Sequence, residues 1–247
     1  MSKRETIQLF LNSVDASEYI NNSHSEPIFN LPQITIPKSS VIKLGIQAAQ
    51  IPHSFYNIDD INNRLTYEIN GLGTQTYNIP QGNYNVNTLG FILNAATGIT
   101  FQYISTTNTY IMAHALPFEI YGTSNCMELL GLQEDVDYAS DMDNSIYSDR
   151  SINLFPIKNI CLLSHNFITN NVSTTDTSLA NYLLSIPNNT PSNSIIYYTN
   201  SSQLLTNVNS ITNITSFHVK LVDQRGRLID LNGHHWSVVI ESHIFPK

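Results

Sequence analysis

Charge is scarce in this sequence. Asp, Glu, Lys and Arg together make up 12% of its 247 residues, where a soluble domain usually carries about 25%. The balance is acidic, with 11 Lys plus Arg against 19 Asp plus Glu and a net charge of -8, so no basic field exists to draw the chain to nucleic acid. Nucleic-acid contact is therefore not expected. Lys3-Arg4, the basic pair near the start, reads as a solvated terminus, because a phosphate-binding arm carries a longer block of charge. Cysteine is equally sparse: Cys126 and Cys161 stand alone, which argues against a disulfide framework or a zinc site and leaves two reduced, buried thiols. Long apolar runs are missing too. No stretch could span a membrane as a helix, and Thr6 to Leu11 alternates instead of forming the apolar heart of a signal peptide. The Asn-x-Ser/Thr matches at Asn21, Asn171, Asn200 and Asn213 then read as accidents of composition.

What is present in quantity is Asn, Ser and Thr for solubility, with Ile and Tyr as the leading apolar residues, a bias toward strands. Ten Phe and thirteen Tyr interleaved with β-branched residues argue for a packed interior, although an Asn-rich text could suggest disorder. A chain of this length should bury roughly 70 to 75% of its unfolded surface.

The sharpest strand pattern lies at the C-terminal end. Phe217, Val219 and Leu221 alternate with His218 and Lys220; Trp236, Val238 and Ile240 alternate with Ser237, Val239 and Glu241. Asp223 to Gly226 supplies one tight turn and Asn232-Gly233 another, so the spacing predicts a three-strand meander with Arg227 to Leu231 in the middle. At the other end, Glu5 to Val14 reads as an opening strand with Ile7, Leu9 and Leu11 on one face. Pro27, Pro32 and Pro37 confine the next stretch to an extended edge, and Val41 to Ile51 is a strong strand with a bulge suggested near Gly45 and Ala48-Ala49.

From Phe55 to Leu132 the texture changes to that of a small α+β unit. Leu65 to Ile69 and Thr76 to Ile79 flank the turn at Gly71-Leu-Gly73. Val86, Leu89, Ile92 and Leu93 fall at helical spacing, with Asn85 or Asn87 as cap and Gly98 just past the end. A hairpin, a further strand at Phe118 to Tyr121, and a short helix capped by Asn125 complete it. Asp135 to Asp149 reads as an acidic loop; Ser151 to Phe155, Asn159 to Ser164, Tyr182 to Ile186 and Ser194 to Thr199 read as strands. The expected fold is all-β, a single jelly-roll sandwich over residues 1–54 and 133–247 with an inserted small α+β subdomain over 55–132.

Each candidate for chemistry has a plainer reading beside it. Asp141-Met-Asp143-Asn144 starts like a calcium loop, but Ile146 stands where Gly is required and Ile152 where a bidentate Glu is required, which favours a solvated turn. His234 and His235 are adjacent, so in a strand they face opposite sides and cannot chelate together. Gly71-Leu-Gly73 lacks the lysine and helix of a phosphate loop, and there is no serine-hydrolase elbow. Ser164-His165 and His53-Ser54 pair hydroxyl with imidazole only in sequence. No catalytic, cofactor-binding or metal-binding residue is assigned, no cofactor is expected, and the chain is not read as an enzyme. Tyr and Asn could instead build a sugar-binding surface.

The stretches Ile51-Pro-His-Ser-Phe-Tyr-Asn-Ile, Ile79-Pro-Gln-Gly-Asn-Tyr-Asn-Val-Asn-Thr-Leu, Leu129-Leu-Gly-Leu and Val222-Asp-Gln-Arg-Gly-Arg-Leu-Ile-Asp-Leu, with the Trp236 strand after them, carry a resemblance from about Val41 onward. In that pattern the chain resembles the minor capsid, or penton, proteins of virophages and related polinton-like and large DNA viruses of protists. The resemblance implies a structural capsid protein of the virion, assembled in the host cytoplasm. Five copies would close an icosahedral vertex as a homopentamer beside the major capsid protein of the same particle. Two other readings stand beside it: another minor capsid or cement protein, and a carbohydrate-binding jelly-roll attachment module.

Overall fold

The computed structural model describes residues 5–35, 40–164, 171–172, 179–201, 205–208 and 213–246; Lys3-Arg4, His165 and most of the polar loop expected at 170–176 lie outside them. The chain opens with strands β1 (Glu5–Asn12), β2 (Glu18–Tyr19), β3 (Pro27–Thr35) and β4 (Ser40–Pro52). There follow β5 (Arg64–Ile69), β6 (Gly73–Asn78), helix α1 (Val86–Thr97), β7 (Thr100–Ile104), β8 (Thr109–Ala113), β9 (Phe118–Ile120), β10 (Tyr138–Ala139) and β11 (Ser145–Tyr147). The last group is β12 (Asn159–Ser164), β13 (Asn171–Val172), β14 (Leu179–Ala180), β15 (Tyr182–Pro187), β16 (Ile195–Thr199), β17 (Thr206–Val208), β18 (Asn213–Asp223) and β19 (Ser237–Pro246).

Two compact units result. The first combines the chain up to Phe55 with the chain from Ile157 onward; the second is Tyr56–Pro156.

The first unit is a sandwich of two antiparallel sheets. One runs β1-β19-β4-β16, with β17 also on β4; the other runs β15-β12-β18-β3-β2. Alternation decides which side chains meet between them. Leu11, Ile42, Leu44, Ile46, Ile51, Val238, Ile240 and Ile244 come from the first sheet, and Phe29, Ile160, Leu162, Phe217, Val219 and Leu221 from the second, in one buried core. Burying each such side chain is worth about 1.5 to 3 kcal/mol before entropy is subtracted. In β4 the inward sequence runs 42, 44, 46 and then 49, 51, a break in period two. The register against β19 shifts at the same place, Val239 facing Ala48 and Ile240 facing Ile46, which leaves Gln47 as the extra residue of a bulge.

This topology corrects the meander expected at the C-terminal end. β18 pairs with β12 and β3, whereas β19 pairs with β1 and β4, so the two long strands belong to opposite sheets. The segment between them crosses from one sheet to the other. Its one ladder contact is the bridge from Leu228 to Val222, and Ile229 and Leu231 sink into the core as anchors. Pro27–Thr35 is also less of an edge than its prolines suggest, since β2 pairs with its first two residues.

The second unit holds the sheets β10-β9-β5-β6 and β11-β8-β7. Helix α1 is capped as its sequence predicts: Asn85 accepts from the backbone N–H groups of Asn87 and Thr88, and Gly98 ends the helix at φ 76°. Leu89 and Leu93 bury its inner face. The inserted unit extends to Pro156, beyond the Leu132 expected from sequence. The reason is apolar: Ile146, Ile152 and Leu154 pack into its core, and the supposed acidic loop contains β10 and β11. Residues 151–155, expected as a strand, form none. The short helix at Met127–Leu130 is a 3-10 turn without a side-chain cap; Asn125 accepts from the Arg64 backbone N–H instead, at 2.5 Å.

Candidate functional site

The residues singled out for chemistry resolve into separate structural duties. The His53 ring takes its Nδ1 to the Thr190 carbonyl at 2.8 Å and stacks on Phe55, while the Ser54 hydroxyl donates to the Leu231 carbonyl at 2.6 Å, so imidazole and hydroxyl do not form a pair. Burial lowers the His53 pKa, and the backbone carbonyls beside it only partly offset this. Asp141 Oδ1 accepts from the backbone N–H groups of Asp143 and Ser145, both at 2.9 Å, and so folds its own turn. Gly71, in the connection from β5 to β6, and Gly73, the first residue of β6, both sit at positive φ.

The two adjacent histidines precede β19 instead of lying within a strand, so strand alternation does not separate them, and both line one cleft. His235 stacks on His24, with ring centroids 4.5 Å apart, and its Nδ1 lies 3.2 Å from the Ser13 hydroxyl. Trp236 is buried beside them, its indole N–H donating to the His24 carbonyl at 2.9 Å. Both thiols are buried; desolvation pushes Cys126 up to about 12 and raises Cys161. Ser164 is buried, and the neighbour expected of it, His165, lies outside the described residues.

What the fold does assemble is a broad surface: the outward face of the first sheet. Four strands put side chains there in ladder order. Phe10 stands opposite Val239, and Val239 opposite Ala48, an apolar row in which Phe10 is 74% exposed. The next row joins Asn12, Ser237, Gln50 and Tyr197. Further along, Gln47 donates to Glu241, whose other oxygen lies 3.3 Å from His243 Nε2. Lys43 lies over the Phe245 ring at 5.5 Å from its centroid. At the sheet margins, β1 pairs only with β19 and β16 only with β4 among the described residues, so each has one ladder edge open. Toward the end of this face a cleft of about 530 Å³ opens, lined by Gln50, Asn193, Ser237 and the histidine pair among others. None of Asn12, Gln50, Asn193, Tyr197 or Ser237 stands out in the sequence, because each is one polar residue among many until pairing sets them side by side. Among the described residues, no helix is long and apolar enough to cross a membrane.

The sequence matches no protein-family model and none of the curated proteins. Solved structures do match. The mavirus penton protein superposes with a TM-score of 0.54 at 10% identity, over 98% of this chain and 100% of its own. A chain from the Sputnik virophage gives a TM-score of 0.42 at 13% identity, over 96% of this chain and 97% of its own. The first likeness shows the fold: this chain shares the all-β jelly-roll architecture of the mavirus penton protein from end to end.

Proposed function

We propose that this chain is a structural subunit of an icosahedral virus capsid, closing its five-fold vertices as a homopentamer beside the major capsid protein of the same particle. The observation that carries the reading is the likeness to the mavirus penton protein over 98% of this chain and all of the other. A whole-length match includes the second unit as well as the sandwich. The surface chemistry supports it. Edges left open at β1 and β16 offer backbone donors and acceptors to a neighbour, and the exposed Phe10 lies on one of those edge strands. With few charges available, contacts between copies are made of many small polar and apolar pairings.

Particles purified from an infected host and imaged by electron cryo-microscopy test the assignment. Five-fold density fitted by this fold is the expected result. Density for the chain at other capsid positions, with the vertices filled by a different protein, would reassign it to a cement role.

A further inference from the structure

We propose that the outward face of the first sheet carries a binding site for an uncharged oligosaccharide, built on the row Asn12, Ser237, Gln50 and Tyr197. The ladder places Asn12 opposite Ser237, Ser237 opposite Gln50, and Gln50 opposite Tyr197. Directly paired residues share a face with their Cβ atoms about 5 Å apart, so the row crosses four strands as a continuous stripe. Asn12, Ser237 and Gln50 also line the cleft of about 530 Å³, a size within the range of roughly 300 to 1,000 Å³ typical of small-ligand sites.

The lining fixes the class of ligand. It contains amides, hydroxyls and imidazoles and no Asp, Glu, Lys or Arg. A site built for a phosphate, sulfate or sialic acid usually carries Lys or Arg, and one built for an amine usually carries a carboxylate. Amides are suited to neutral hydroxyls, because each offers an acceptor and two donors to neighbouring sugar oxygens. These groups are also uncommitted: the side chains of Gln50, Asn193 and Ser237 make no hydrogen bond among the described residues, and Asn12 uses only its oxygen, accepting from the Val14 N–H at 3.2 Å. At the end of the stripe Tyr197 is 65% exposed and offers an apolar ring face with a hydroxyl at its tip, the combination on which a sugar ring stacks. Burial holds His53, at the cleft wall, below its ordinary pKa, which disfavours the charged form of that ring. Saccharide binding does not depend on the capsid assignment and could fail without disturbing it.

The full chain is applied to a printed array of neutral, sialylated and sulfated glycans, and the strongest neutral hit is titrated in solution. The expected result is capture of a neutral oligosaccharide with a Kd of roughly 1 mM or tighter. Gln50→Ala and Tyr197→Ala should each weaken it at least tenfold, and Gln102→Ala on β7 should leave it unchanged. Gln50 and Tyr197 are both exposed, so the variants should keep the parent's urea midpoint. The proposal is overturned by no binding of any neutral glycan at about 10 mM, by capture of anionic glycans alone, or by binding that survives both substitutions.

Discussion

The buried carboxylate of Asp223 grips Arg227 through two contacts, Oδ2 lying 2.7 Å from Nε and 2.6 Å from Nη2. Its other oxygen accepts the backbone N–H groups of Arg225 and Arg227 at 2.8 and 2.9 Å. One side chain thus closes the turn at which the chain leaves one sheet for the other. Removing it strands a guanidinium and two amides, so Asp223→Ala should cost roughly 3 kcal/mol, read as a lower urea midpoint. Asp223→Asn keeps an acceptor and should cost less. Equal, small losses in both variants would show that the turn holds without the carboxylate.

Much of this region is legible in the sequence, and the part that is not has a physical cause. Alternation at Phe217, Val219 and Leu221, and at Trp236, Val238 and Ile240, reports which side chains point inward, and all six are buried. It does not report which strand lies alongside, so β18 and β19 looked like members of one meander when they belong to opposite sheets. Ile229 and Leu231 mimic a middle strand because a crossing segment with two anchors also shows period two. The helix at Val86–Thr97 was readable because its cap and stop signals are local. β10 and β11 were not, since two or three residues carry too little pattern. The row from Asn12 to Tyr197 is invisible in sequence for the same reason as the strand pairing: its members are brought together by topology alone.

Gly131 is held at φ +70°, and a Cβ there would overlap the Arg150 carbonyl oxygen. Backbone strain and overlap add, so Gly131→Ala should destabilise the chain by roughly 2 kcal/mol or more. Thermal unfolding of the variant checks this; an unchanged melting temperature would contradict the close approach of the two segments.

His53 gives stability a definite pH slope. Its folded pKa is lowered from 6.5 by burial, so as pH falls through 6.5 the unfolded chain takes up a proton that the folded chain refuses. The contribution is complete above 6.5 and is lost progressively below it, down to the folded pKa. Urea midpoints measured from pH 7.5 to 5 should fall less steeply in His53→Gln than in the parent. Parallel slopes would contradict the assignment.

The thiols should be inert in the folded state. With Cys126 pushed up to about 12 and Cys161 raised by the same cause, neither should react with a thiol reagent at pH 8 until the chain is unfolded, when both should. Rapid titration of either in the native protein would show an access route that the buried side chains do not reveal.

The central claim is assembly, and the mass of the purified chain in solution, by native mass spectrometry or light scattering, addresses it most directly. The account predicts a pentamer that survives an increase in salt, because only 12% of the residues are charged and ion pairs cannot be its main support. A stable trimer or monomer, or a pentamer that falls apart at moderate salt, would contradict it.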